Sequence, residues 1–131
     1  MDSTSATRRT IDKSSARQAL LIGLVVFASY AYFYEGGGWN QNSRFDLTRA
    51  IVEHGTLCID AYHENTGDKA YYGGHFYTDK APGQPLLAVP AAAVTRFALP
   101  TLGIDPASAR GVVVMAYIST LFSVALPAAI A

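Results

Sequence analysis

Three stretches of this sequence are long, apolar and nearly free of charge, and the thickness of a lipid bilayer limits what such stretches can become. Ala19 to Tyr34 reads ALLIGLVVFASYAYFY, Ala81 to Leu102 reads APGQPLLAVPAAAVTRFALPTL with Arg96 as its one charge, and Gly111 to Ala131 reads GVVVMAYISTLFSVALPAAIA with none. A helix crossing the hydrocarbon core needs about 20 predominantly apolar residues and at least about 17. The first run reaches that lower limit with Gln18 and Glu35 at its edges, and the third is long enough without help. Buried helices of a soluble domain of this size would each show a polar face, and these runs show little of one. The expected fold class is therefore an all-α integral membrane protein. It has about three transmembrane helices, and its mixed outer loop carries an amphipathic surface helix and a short β-hairpin.

Composition agrees. Half of the 131 residues are hydrophobic and 15% are charged, against about 25% charged in an average soluble domain. The formal net charge is zero, so no nucleic-acid partner is expected. Cys58 is the one cysteine; it excludes an internal disulfide framework and a multi-cysteine zinc site, and reads as a small apolar residue. Tyr30, Tyr32, Phe33 and Tyr34 close the first run as an interfacial aromatic belt would. That belt and the two later runs favour an uncleaved anchor over a cleaved signal peptide.

Basic residues set the expected orientation. Arg8, Arg9, Lys13 and Arg17 precede the first span, and Arg96 and Arg110 flank the second connection, so both belong inside by the positive-inside rule. The expected division is a disordered cytoplasmic tail over 1–18, spans over 19–35, 81–102 and 111–131, an outer loop over 36–80 and a cytoplasmic loop over 103–110. The expected location is the inner (plasma) membrane, multi-pass, with the amino terminus in the cytoplasm. Pro82 and Pro85 suit the first turn of the second span, and Pro90 is expected to kink its interior.

The outer loop is too long and too patterned to be a bare connection. Gly36, Gly37 and Gly38 give a flexible exit; without a following Gly-Lys-Ser/Thr they are not a phosphate loop. Ser43 is read as the N-cap of a helix from Arg44 to His54, with Gly55 as its stop. That helix places Leu47, Ala50, Ile51 and Phe45 on one face and Asp46, Arg49 and Glu53 on others. It reads as a helix lying on the membrane surface or one capping the protein. Thr56 to Ile59 is β-prone, and Ala70 to Tyr77 reads as a hairpin turning at Gly73-Gly74. Asp60, His63 and Glu64 are metal-ligating in type, but their spacing fits no metal rule. They read as a solvated loop; no metal ligand or cofactor is assigned, and a divalent metal is left open.

Asp79 and Lys80 stand at the mouth of the second span. An ammonium there meets the headgroup layer and its phosphates, with the free N–H groups of a helix N-terminus beside it. Asp79 pairs with the ammonium, orients it, or caps the helix.

The order of these parts resembles the amino-terminal section of the GT-C glycosyltransferases, polytopic enzymes that use polyprenyl-phosphate-linked sugars. The nearest likeness is to the protein O-mannosyltransferase and lipid A aminoarabinose transferase branch. The resemblance rests on Arg49 with Glu53-His54-Gly55, then Gly74-His-Phe-Tyr-Thr-Asp-Lys80-Ala-Pro82-Gly, and covers roughly Ala19 to Pro90. It implies that Lys80 binds the phosphate of the lipid carrier and neutralises the leaving group. It also implies an acid soon after the first span that acts as base toward the acceptor hydroxyl. Counting back from Glu53-His54-Gly55, that acid falls on Asn40 and Gln41, amides that accept no proton near neutrality. The alternatives are Asp46 or another loop acid as the base, or Asn40 and Asn42 binding substrate with the acid supplied elsewhere, or altered chemistry.

The expected catalytic residues are thus Asp46, Asn40 and Asn42, and the expected substrate-binding residues Lys80, Asp79, Arg49, His63 and Glu64. The implied partners are a lipid-linked sugar donor, the membrane and an acceptor the sequence does not name. Members of that family carry many more spans, so the chain reads as a segment or truncated form. The competing expectation is a small non-catalytic membrane scaffold whose Tyr-rich hairpin docks another protein.

Overall fold

A computed structural model describes residues 12–131. Helix α1 covers Lys13–Tyr32, with Asp12 extended before it. Residues 13–18 are therefore helical rather than part of a disordered tail; Arg8, Arg9 and the rest of 1–11 lie outside the described residues. Helix α2 covers Trp39–Arg49 and widens into a π-turn over Ala50–His54, stopped by Gly55 at φ 65. A 3-10 turn at His63–Asn65 leads to strands β1 (Lys69–Tyr72) and β2 (His75–Thr78). Helix α3 covers Gly83–Ala98 and tightens to 3-10 over Leu99–Leu102, and α4 covers Ala109–Thr120. A π segment at Leu121–Ala125 joins α4 to α5 (Leu126–Ile130).

Among the described residues three helical stretches, Lys13–Tyr32, Gly83–Leu102 and Ala109–Ile130, are long and apolar enough to cross a membrane. The helix containing α3 continues through Pro90 without interruption, so the expected interior kink does not break it. The hairpin forms as the sequence requires. Lys69 pairs with Thr78 and Tyr72 with His75, and Gly73 and Gly74 adopt φ 61 and φ 91, the left-handed backbone of a tight two-residue turn.

Helix α2 starts four residues ahead of the expected N-cap, so Ser43 is a buried interior residue rather than a cap. Its hydroxyl contacts the Asp68 carbonyl and lies 2.7 Å from the Thr78 hydroxyl, pinning α2 to the hairpin. Leu47 and Ala50 do share a face, but that face packs on Ile59, Tyr62 and Phe76 of the chain's own loop. Asp46 and Thr48 are buried as well, so α2 is enclosed on several sides instead of lying half-exposed as a surface helix. The Thr48 hydroxyl donates to the Pro85 carbonyl at 3.2 Å, fixing α2 against the first turn of α3. Thr56 to Ile59 forms no strand; a backbone bond from Ile59 N–H to the Phe76 carbonyl at 2.8 Å ties it to β2, and the Cys58 thiol meets the Tyr77 hydroxyl.

Helix directions follow from a few contacts. The Gln84 amide donates to the Ser123 hydroxyl at 2.7 Å, while a short turn joins the other ends of α3 and α4, so these two are antiparallel. Tyr117 donates to the Ala31 carbonyl at 3.1 Å, and Gly23 backs onto Ala129, whose carbonyl oxygen would lie 2.7 Å from any Cβ at position 23. Helix α1 therefore runs antiparallel to α4–α5 and parallel to α3. Strict alternation of three spans would make α1 and α3 antiparallel; the observed packing alternates only between α3 and α4–α5. No residue of α1 is buried, so it is the least anchored of the three. Arg96, expected at the inner face, approaches Glu53 of the expected outer loop at 3.7 Å.

Candidate functional site: a polar cavity beside helix α2

A cavity of about 560 Å³ opens between α2, α3 and α4. Its apolar wall comes from Ala88, Val112, Val113, Ala116 and Val124, and its polar wall from the loop after α1, from α2 and from Asn65. Four buried side-chain atoms on residues lining this space have no hydrogen-bond partner among the described residues: Arg44 Nε, Asp46 Oδ2, Gln84 Oε1 and Ser119 Oγ. A buried polar atom left unpaired costs about 1–3 kcal/mol. These four, shut off from solvent on residues that line the cavity, are one obligate donor, two acceptors and a hydroxyl that does either.

Asp46 is 1% exposed. Its Oδ1 accepts from the Asn65 amide at 3.1 Å, and the Asn65 carbonyl in turn accepts from the Asn42 amide at 2.8 Å. Burial pushes the Asp46 carboxyl up to about 6, and the Asn65 bond and Arg49 hold it back only in part. A carboxylate with one oxygen fixed, one free and a proton affinity near neutrality is suited to take a proton from a hydroxyl.

The structure gathers Asp46, Asn40, Asn42 and Arg49 on this cavity and leaves the rest of the expected site outside its lining. Arg49 is itself committed: its Nε donates to Glu53 at 2.9 Å, and its guanidinium lies 4.0 Å above the Tyr62 ring. Burial raises the Glu53 carboxyl, but Arg49 and the Tyr62 hydroxyl, with Arg96 beyond, outweigh it and leave Glu53 below its ordinary value. Tyr62 is driven up to about 12, by burial first and then by its bond to Glu53.

Lys80 is held at 3.0 Å by Asp68 and at 3.2 Å by Asp79, and these two acceptors raise its pKa. Two carboxylates around one ammonium make the neighbourhood net negative, so a phosphate reaches Lys80 only when a carboxylate yields. His63 stacks on Phe76 at 4.0 Å, its carbonyl accepting from Lys69, and Glu64 is exposed on the same turn.

Three lining residues, Arg44, Gln84 and Ser119, are not singled out by motif or spacing. A signal for two of them is nonetheless present: Gln84, Ser119, Thr120 and Ser123 are polar residues inside otherwise apolar runs, and such residues face protein or water-filled space rather than lipid. Gln84 and Ser123 do meet, and Gln84, Ser119 and Thr120 line the cavity. Comparison with family models, with curated proteins and with solved structures finds no match to this chain.

Proposed function

We propose that this chain is the amino-terminal part of an integral-membrane glycosyltransferase. It moves a sugar from a polyprenyl phosphate carrier to an acceptor hydroxyl, and the cavity beside α2 is where the transfer takes place. The observation that carries this reading is a partly apolar cavity lined by Asp46 together with Asn40, Asn42, Arg44 and Gln84. A polyhydroxylated ligand supplies both donors and acceptors to such a lining, whereas a purely apolar ligand would match only its Ala and Val wall.

In this reading the Asp46 carboxylate takes the proton of the acceptor hydroxyl. The freed oxygen attacks the anomeric carbon, the bond from that carbon to the phosphate oxygen breaks, and polyprenyl phosphate leaves with the electron pair. Asn42 and Asn65 hold Asp46 in place. Asn40, which also faces the cavity, is a substrate hydrogen-bonding group. Arg44 lines the cavity with no ion-pair partner among the described residues and is suited to the developing phosphate charge. Lys80 contributes to the carrier's headgroup only after exchanging Asp68 or Asp79 for it. The three apolar helices support a membrane setting, and the inner membrane is the proposed location.

The test is transfer of labelled sugar from a polyprenyl phosphate donor by membranes containing the protein that bears this chain. Asp46→Asn keeps the volume and removes the base, so transfer falls by about 100-fold or more while membrane content is unchanged. Undiminished transfer in that variant overturns the assignment.

A further inference from the structure

Away from the cavity, the loop after Gly55 and the start of β2 bring three side chains of metal-ligating type together. Cys58 Sγ, a carboxylate oxygen of Asp60 and a ring nitrogen of His75 all lie within 4.8 Å of one another. They share a shallow concavity of about 240 Å³ with His54, Thr56 and Ala61. None of the three lines the larger cavity, so a role for them is independent of sugar transfer.

We propose that Cys58, Asp60 and His75 bind one divalent cation of the zinc class. The donor set selects the metal. A thiolate with an imidazole favours zinc over magnesium or calcium, which take oxygen ligands. Zinc bonds of about 2.0–2.3 Å in a tetrahedron put ligand atoms about 3.3–3.8 Å apart. The present cluster is compatible with that spacing: Asp60 Oδ2 and His75 Nδ1 stand at 2.7 Å, and no separation exceeds 4.8 Å. A cation entering between them replaces one short hydrogen bond with two metal bonds and draws Cys58 inward.

The backbone already positions the ligands. Asp60 divides its oxygens, Oδ1 accepting from the Phe76 N–H at 2.6 Å while Oδ2 turns to His75. Ile59 N–H donates to the Phe76 carbonyl at 2.8 Å, locking the Cys58–Asp60 strip to the hairpin. The Tyr72–His75 pairing fixes where His75 leaves β2. The Thr56 hydroxyl accepts from the Cys58 N–H at 3.1 Å, setting the cysteine's backbone. An outer anchor on a ligating carboxylate of this kind is a recurrent feature of metal sites. On binding, the Cys58 S–H bond breaks, sulfur bonds the metal and the proton passes to solvent. Three protein ligands leave a fourth position for water or an incoming group. Among the metal-ligating types noted in the sequence, only Asp60 belongs to this set; His63 faces Phe76 instead.

The probes are Co²⁺ and then Zn²⁺, titrated into the purified full chain in detergent. The expected result is one equivalent of cobalt bound with a thiolate-to-cobalt charge-transfer band that zinc abolishes. Cys58→Ala removes the band, and Cys58→Ala and His75→Ala each weaken zinc by about 100-fold or more, since loss of a direct ligand exceeds loss of an outer anchor. Glu64→Gln, on the neighbouring exposed turn, leaves both readouts as they were. His75 is exposed, so its replacement tests the site even if Cys58→Ala does not fold. Absence of saturable cobalt binding overturns the proposal, as does a cobalt spectrum without the thiolate band or zinc affinity within about twofold in His75→Ala.

Discussion

Asp46 carries the most consequential chemistry on the smallest scale. Its acid form is favoured in the fold, with a pKa of about 6 against 3.8 when solvated. The folded pKa lies above the unfolded one. The stability this group contributes is therefore complete below about pH 4 and is lost as pH rises through about 6. Thermal unfolding in detergent should show a melting temperature that declines across that window, and Asp46→Asn should remove the decline. Asp46→Asn should also stabilise the protein above pH 7 by about 1–3 kcal/mol, because a neutral amide replaces a buried charge. Arg44 and Lys80 can be ranked in the same way. Arg44 lines the cavity with no ion-pair partner among the described residues, and Lys80 has two carboxylate partners. Arg44→Gln should therefore depress sugar transfer more than Lys80→Ala. Equal turnover in the Arg44 variant and the parent would remove Arg44 from the site.

At the scale of elements, the hairpin is fully legible in the sequence and α2 only partly so. Gly73-Gly74 between tyrosine-rich flanks has one economical backbone solution, and the fold adopts it. Gly74→Ala forces a Cβ into a φ of 91 and should cost about 1–2 kcal/mol, read as a lower denaturant midpoint. Helix α2 begins earlier than its sequence suggests because Ser43 has the chemistry of a cap, yet its hydroxyl reaches across to Asp68 and Thr78, residues distant in sequence. No local pattern encodes such a contact. The same limit hides the burial of Asp46, which helical periodicity assigns to a different face from Leu47. Of the two readings of its apolar face, a helix on the membrane surface or one capping the protein, the packing on Ile59 and Phe76 fits the second. The Arg49–Glu53 pair closes the end of this helix with both side chains 14% or less exposed. A double-mutant cycle with Arg49→Gln and Glu53→Gln should give a coupling of about 0.5–3 kcal/mol; a coupling near zero would reduce the pair to a surface contact.

On the scale of the whole molecule, the three apolar helices follow from length and hydropathy alone, and their number is legible at once. Their relative direction is where sequence and structure part: charge bias and alternating spans make α1 and α3 antiparallel, and the packing runs them parallel. Helix α1 runs parallel to α3, held by the approach of Gly23 to Ala129 and by the Tyr117–Ala31 bond. None of the four unpaired polar atoms comes from α1. They come from the α2, α3 and α4 unit, while the loop after α1 supplies part of the cavity's polar wall. A reporter-fusion map should place the loop bearing α2 and the hairpin on the non-cytosolic side, where carrier-linked sugars are consumed in this scheme. A cytosolic assignment would separate the cavity from its donor. The most direct measurement is the pH–rate profile of sugar transfer from polyprenyl phosphate in native membranes, parent beside Asp46→Asn. If Asp46 is the base, the parent's turnover rises through about pH 6 to a plateau and the variant's residual rate shows no such step. A parent profile flat across that range, or a variant that matches it, would contradict the assignment of the cavity as the place of transfer.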